Sequence, residues 1–425
     1  MYYFSTNKRS PHVGFAQAVL NGQPADRGLY FPSQIPHISR NLATGLKKLS
    51  NAEIAFEVIR PYVNGDIADD DLLEICAETV DLEIPLITID EKITALELFH
   101  GPTLAFKDIG ARFMSRCLGR VSRRQSRKTI VIAATSGDTG GAVAAGFHNV
   151  DGVEVIILYP KGRVSRIQEL QLTTLGGNVT TLELHGTFDD CQAIAKPLLA
   201  DDTLSTQVHL TSANSINVAR WLPQQFYYFF AVKMSEDKDP TICVPSGNFG
   251  NLAAGILAER AGLRIGHFIA ASNANDVVPR WFESGQYQPR DTIETLSNAM
   301  DVAAPSNFVR ILEMFGGDRK ELKKIVSADR VSDEETAATM IEVYERTGYV
   351  LDPHGAVAYK ALNDSGRKGI ILETAHPCKF DSVGEILGVE PDVPVSVRDL
   401  GSNKKVSIEV PNDHHLVREI VMQKI

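Results

Sequence analysis

Thr129-Ile130-Val131-Ile132-Ala133-Ala134-Thr135-Ser136-Gly137-Asp138-Thr139-Gly140-Gly141 reads as a strand, a glycine-rich turn and the opening of a helix. The first six residues are apolar or β-branched without alternation, as in a strand buried on both faces. The same unit recurs downstream. Strands are predicted at Val153–Tyr159, Val179–Leu184, Val208–Thr211, Thr241–Val244, Ile265–Ala270 and Gly369–Glu373. Helices are predicted between them at Arg166–Leu175, Asp189–Leu199, Leu252–Arg260 and, as one long element, Ile216–Met234. Apolar strands alternating with helices indicate an α/β fold with parallel sheets, in which ligands sit beyond the carboxyl ends of the strands.

The remaining chain is less informative. Residues 1–98 read as an entry segment containing a short strand-like run, Gly28–Pro32, and helical spacing over 51–62 and 67–79. Residues 276–345 read as mostly helical, and 390–425 as a closing strand and helix. Arg120, Arg123, Arg124, Arg127 and Lys128 form a basic connector with no interleaved aromatic residue, which reads as a solvated helix end.

The totals exclude several classes. Over 425 residues, 43 basic and 53 acidic side chains leave a formal charge of −10, which disfavours nucleic acid and anionic membrane surfaces as partners. The five cysteines are scattered without a C-x-x-C pair, so neither a disulfide framework nor a metal site is expected. The most apolar runs, Val153–Tyr159 and Phe226–Val232, are too short to span a bilayer, and the N-terminus lacks the order of a secretory signal. A cytoplasmic protein, monomeric or a small homo-oligomer, is the expectation.

Two strand-to-helix turns carry the chemistry: Ala134–Gly141, and Val244-Pro245-Ser246-Gly247-Asn248-Phe249-Gly250-Asn251. Glycine lets the backbone approach a ligand, and the following helix start offers free N–H groups and a positive dipole end. Neither turn is a P-loop or a dinucleotide fingerprint. A third helix start, Asn214-Ser215-Ile216-Asn217, has Asn217 and Arg220 on one face and is a further candidate anion site. Upstream lies His100-Gly101-Pro102-Thr103-Leu104-Ala105-Phe106-Lys107-Asp108, a lysine beside an aromatic at a helix start. A lysine held in an apolar setting is the usual source of a Schiff base. Two anion cradles and such a lysine suggest a ligand with a phosphate, a carboxylate and a condensable carbonyl, a description that pyridoxal phosphate with an amino acid meets.

Taken together, Tyr2–Thr6, Gly28–Pro32, His100–Asp108, Thr135–Gly140, Ser246–Asn251 and Glu373–Phe380 resemble the threonine synthase family over nearly the whole chain. The resemblance implies a fold-type II pyridoxal-phosphate enzyme, tryptophan synthase β-like, with two parallel α/β domains and an N-terminal extension. It implies a threonine-synthase-type segment over 1–98 and a catalytic region over 99–425. Within the latter, a smaller subdomain is expected near 110–205 and a larger one over 206–425 plus parts of the N-terminal half. Lys107 is by this resemblance the catalytic and cofactor-linking lysine. Gly247, Asn248, Phe249, Gly250 and Asn251 match the loop for the phosphate of pyridoxal 5'-phosphate, and Thr374 the ring-nitrogen partner. Thr135, Ser136, Gly137, Asp138 and Thr139 match the substrate-carboxylate loop, and the implied substrate is O-phospho-L-homoserine. The wider superfamily often has Ser-x-Gly-Asn where this chain has Ser136-Gly137-Asp138, and an ionised Asp138 beside a phenolate would repel it. Asn217 and Arg220, with Lys379 as a further cation, are candidates for the substrate phosphate, and His100 and His376 for proton transfer. The rival readings are a serine or threonine ammonia-lyase on the same fold, a non-catalytic homologue that binds the cofactor, and a dinucleotide-dependent dehydrogenase.

Overall fold

A computed structural model describes residues 1–123 and 125–425; Arg124 of the basic connector lies outside the described residues. The apolar runs assemble into two sheets. The smaller has five strands in the order Ile408–Val410, Val179–Leu184, Val153–Pro160, Thr129–Ala134, His209–Ser212, all parallel. The larger has six: Val326–Arg330, His267–Ser272, Thr241–Pro245, Gly369–Glu373, Ile93–Glu97 and Leu86–Thr88. Only Leu86–Thr88 of that sheet runs antiparallel to its neighbour among the described residues.

Strand alternation sends neighbouring residues to opposite faces, and both faces are covered. In the smaller sheet Ile130, Ile132, Ile156 and Leu158 pack with Ile194, Leu198, Val417 and Val421 on one face. Val131, Ala133, Val155 and Ile157 face the other way, into the main core with Ile109, Phe113 and Met114 of the helix Lys107–Ser122.

The N-terminal segment is tied to this frame at several points. Tyr3–Ser5 pairs antiparallel with Tyr30–Pro32. The helix Asn51–Val63 starts with a capping box, Ser50 with Glu53, and buries Ile54, Val58 and Ile59 at helical spacing. Tyr3 donates its hydroxyl to the Tyr62 carbonyl at 2.9 Å. Fully buried Arg310 lies 4.2 Å from the Trp221 ring centroid and donates to the carbonyls of Tyr30, Ser215 and Ile216.

Several expectations change. His209–Ser212 and Ile408–Val410, expected within the larger unit, instead close the two edges of the five-stranded sheet. Strand periodicity is the same whichever sheet a strand joins, so the sequence pattern does not assign it. The long helix expected over 216–234 is broken into Val218–Trp221, a 3-10 turn Leu222–Gln224 and Gln225–Met234. Pro223 lacks the N–H a continuous helix would use. Val326–Arg330, in a stretch expected to be helical, is an edge strand with exposed polar side chains that hide its pattern. Of the basic connector, Arg123, Arg127 and Lys128 are exposed; Arg120 pairs with Asp71 and Glu74, and Arg123 with Asp151.

Candidate active site

The carboxyl ends of both sheets open on one cavity of about 1870 Å³. Its lining includes Lys107, Thr135, Ser136, Asp138, Thr139, Arg220, His354, Thr374 and the turn Ser246–Asn251. Residues far apart in sequence thus converge where open α/β sheets bind ligands.

Lys107 opens its helix at the cavity wall. Its backbone is held from three sides. Phe106 donates its N–H to the Thr374 carbonyl (2.9 Å) and accepts the Tyr227 hydroxyl at its own carbonyl (2.5 Å). Arg220 donates Nη1 to the Lys107 carbonyl at 3.2 Å. An antiparallel bridge between Ala105 and Ala375 fastens the lysine loop to the Thr374 segment. Lys107 Nζ lies 5.0 Å from the Phe106 ring centroid and 3.7 Å from Asp138 Oδ2. Burial pushes its ammonium below the usual lysine range; Asp138 opposes that shift, while Lys379 and Arg220 add to it. Asp108 does not pair with the lysine. It accepts the N–H (2.9 Å) and hydroxyl (2.5 Å) of Thr103, which shapes the preceding turn.

Asp138 is the most constrained carboxylate of the site. Lys379 Nζ sits 2.6 Å from Oδ1, and Gln168 Nε2 donates to the same oxygen at 3.0 Å. Burial pushes this carboxyl up, but Lys379 and Lys107 outweigh it and hold the group below the usual carboxylate range. Asp138 is therefore an anion paired with Lys379. The same contact corrects the expectation for Lys379. It is fully buried, donates to the Thr103 carbonyl (2.8 Å), and is not among the cavity-lining residues. Gly137 turns with φ 140°, and a Cβ there would stand 2.4 Å from Gln168 Oε1. Thr135 Oγ1 accepts the N–H of Gly137 and of Gly140. The N–H groups of Ser136, Asp138 and Thr139 donate to no group of the chain among the described residues.

The second turn is equally preorganised. Phe249 adopts the left-handed region (φ 59°) just before the helix Gly250–Arg260. Asn248 Oδ1 accepts the Ser306 N–H and hydroxyl, and its Nδ2 donates to Ser215 Oγ. Ser215 Oγ also accepts from Asn307 Nδ2, and Asn307 Oδ1 accepts from Arg310. The N–H groups of Gly247 to Gly250 donate to no group of the chain among the described residues. This free set at a helix start is a nest suited to an anion. A Cβ at Gly247 would stand 2.5 Å from the Met300 Cα, so only glycine fits. Asn251 donates no hydrogen bond from its buried Nδ2 among the described residues and accepts the Tyr228 hydroxyl at Oδ1.

Arg220 is buried, lines the cavity and has no carboxylate within ion-pair distance among the described residues. Burial lowers its guanidinium to about 10, against the opposing influence of Tyr227 and Asp108. Asn217 differs from expectation. Its side chain caps Val218–Trp221 by accepting the Ala219 N–H and donates to the Val19 and Ser212 carbonyls. It faces the N-terminal segment and not the cavity. His100 pairs with Glu97, and His376 accepts the Cys378 N–H; neither lines the cavity. Three positions that contact or line the site escaped the sequence reading: Tyr227, Gln168 and His354. Each is placed by contacts across more than a hundred residues or from an unremarkable helix, so no local motif marks it.

Comparison with known proteins gives a consistent result. Residues 82–374 match the family described as pyridoxal-phosphate dependent enzyme, 2–80 the threonine synthase N terminus, and 355–421 the threonine synthase C-terminal family. The chain is similar to threonine synthase of Haemophilus influenzae, 41% identical over 430 residues and covering 100% of both chains. The crystal structure of Escherichia coli threonine synthase matches with a TM-score of 0.92 at 40% identity, over 100% of each chain. The PLP-bound threonine synthase of Brucella melitensis matches with a TM-score of 0.94 at 36% identity, over 100% of this chain and 99% of that one.

Proposed function

The chain belongs to the threonine synthase family of pyridoxal-phosphate-dependent enzymes, and on that premise we propose that it converts O-phospho-L-homoserine and water to L-threonine and phosphate. Pyridoxal phosphate is the cofactor. The residues present fit that group: the free N–H set of Gly247–Gly250 and the donor Asn251 Nδ2 suit its phosphate. Lys107 is the attachment point, and the Thr374 hydroxyl the partner of the ring nitrogen. A hydroxyl holds a ring proton less firmly than a carboxylate does, so Thr374 makes a milder setting than an aspartate would.

When bound, pyridoxal phosphate supplies an electron sink for negative charge developing on the substrate carbons. The chain's own residues do the rest. The N–H groups of Ser136, Asp138 and Thr139 hold the substrate carboxylate at a positive helix end. Lys107 Nζ, once free, removes the α-proton; its burial and the nearby cations favour the neutral amine that this needs. Asp138, 3.7 Å away, then stabilises the protonated lysine. Arg220 receives the substrate phosphate and balances its charge as the carbon–oxygen bond breaks.

The observation that carries this reading is the convergence in one cavity of a half-buried lysine, two turns with free N–H groups and a buried arginine with no carboxylate in ion-pair distance among the described residues. An ammonia-lyase has no use for the additional anion site that Arg220 makes. Incubation with O-phospho-L-homoserine should release phosphate and threonine in equal amounts. Ammonia from threonine with no phosphate release would sink the proposal. Lys107→Ala should lose the absorbance of the lysine-linked cofactor and at least about 10³-fold in turnover.

A further inference from the structure

Beneath the cavity floor, the strand Gly369–Glu373 ends on Glu373, one residue before Thr374. Its side chain is fully buried, and neither carboxyl oxygen meets an N–H or O–H donor of the chain among the described residues. It presses on the start of the helix Pro353–Asp364: a Cβ at Gly355 would stand 1.9 Å from Glu373 Oε1. The group facing it is the carboxylate of Asp352, also fully buried. Glu97, on the adjacent strand, adds a second negative charge, though its own carboxyl accepts from Tyr349 (2.8 Å) and His100 (2.7 Å). Two buried carboxylates in contact do not both stay ionised.

Asp352 is the better anion of the two. It accepts the N–H groups of His354 and Gly355 as a helix cap and lies 2.5 Å from His354 Nδ1. Glu373 has no such donors, so the proton resides there and is donated to Asp352. Burial and the Asp352 charge push the Glu373 carboxyl far above its usual range, in the same sense.

The consequence passes to His354. With Nδ1–H donating to Asp352, its Nε2 is the acceptor, and it accepts the Ala299 N–H at 3.3 Å. Ala299 is central to the turn Asn298–Met300, and Met300 Cα is what abuts Gly247. Asp301 of the same loop and Asp138 across the cavity are the other charged groups that feel His354.

We propose that Glu373 and Asp352 share one proton, and that this acid pair makes His354 the positioning residue that holds the Asn298–Met300 turn against the Gly247 cradle. The second half rests on the reading of that cradle as the cofactor-phosphate site; the first does not.

The proton is tested on stability. A carboxyl whose folded-state value is raised takes up a proton on folding, so wild-type stability falls as pH rises above the unfolded value of about 4.3. Glu373→Gln is neutral throughout. Urea denaturation between about pH 5 and 8 should therefore show E373Q gaining about tenfold in relative folding equilibrium constant per pH unit. A pH-independent difference overturns the shared proton. Should E373Q not fold, infrared spectra of protein with carboxyl-¹³C glutamate test the same point, with Glu259→Gln removing the other glutamate whose carboxyl burial pushes up. A protonated glutamate band at pH 7 supports it, and its absence overturns it. The cradle half is tested by titrating apoprotein with pyridoxal phosphate. His354→Ala should bind about tenfold more weakly than wild type, and equal affinity overturns it. A wild-type chain that takes up none overturns instead the functional reading beneath.

Discussion

Single side chains at this site are defined by what they are paired with. Asp138 is an anion because Lys379 stands 2.6 Å away, and Lys379 tolerates full burial because Asp138 is there. Removing one partner leaves the other charged and dry. Asp138→Ala should cost about 3–5 kcal/mol in denaturant unfolding. The sign of the pH effect follows from the lowered carboxyl: its stabilisation is present above the unfolded value of about 3.9 and is lost as pH falls toward the folded one. The stability gap between wild type and D138N should thus be flat above about pH 5 and shrink below about pH 4. Arg220 presents the opposite case, a buried cation with no carboxylate in ion-pair distance among the described residues. Arg220→Met should raise KM for O-phospho-L-homoserine about 10- to 100-fold, the worth of a charge-assisted hydrogen bond. An unchanged KM in a steady-state phosphate-release assay would remove Arg220 from the substrate site.

Whole elements are positioned by close approach. The cradle turn and the Asn298–Met300 turn touch at Gly247, where a methyl group would stand 2.5 Å from a backbone atom. Gly247→Ala should cost about 1–3 kcal/mol by overpacking, read as a lower melting temperature of the apoprotein, with weaker cofactor uptake. The parts of the site legible in the sequence are those coded within a few residues. Lys107 and both glycine turns are of this kind, because a helix start needs only a strand end, a glycine and a periodic run. Asn217 misled because an asparagine at a helix start serves equally as a cap or as a ligand contact, and here it caps. Lys379 misled because the paired carboxylate, Asp138, is 241 positions away in the chain and nothing local records the pairing. The break at Pro223 was legible in principle, but the apolar run on either side of it reads as one continuous helix.

At the scale of the molecule, two sheets face one cavity of about 1870 Å³, well above the roughly 300–1,000 Å³ of a typical small-molecule site. Arg163 from the smaller sheet's side and Glu294 from the opposite wall meet across its mouth at 3.1 Å, an exposed pair that holds little. Excess volume between two lobes favours closure on the ligand. Small-angle scattering should register a smaller radius of gyration when cofactor and a substrate analogue are bound, and no change would argue for a rigid cleft. The strand Gly369–Glu373 sits in the middle of the larger sheet, between Thr241–Pro245 and Ile93–Glu97. The smaller sheet likewise takes its edge from Ile408–Val410. Synthesis runs from the N-terminus, so a nascent chain that has reached residue 368 holds two half-sheets with apolar, unpaired inner edges and nothing to join them. Such edges are templates for aggregation. A chain cut before residue 369 should therefore aggregate where the whole one folds, a larger effect than the distance of that cut from Lys107 suggests.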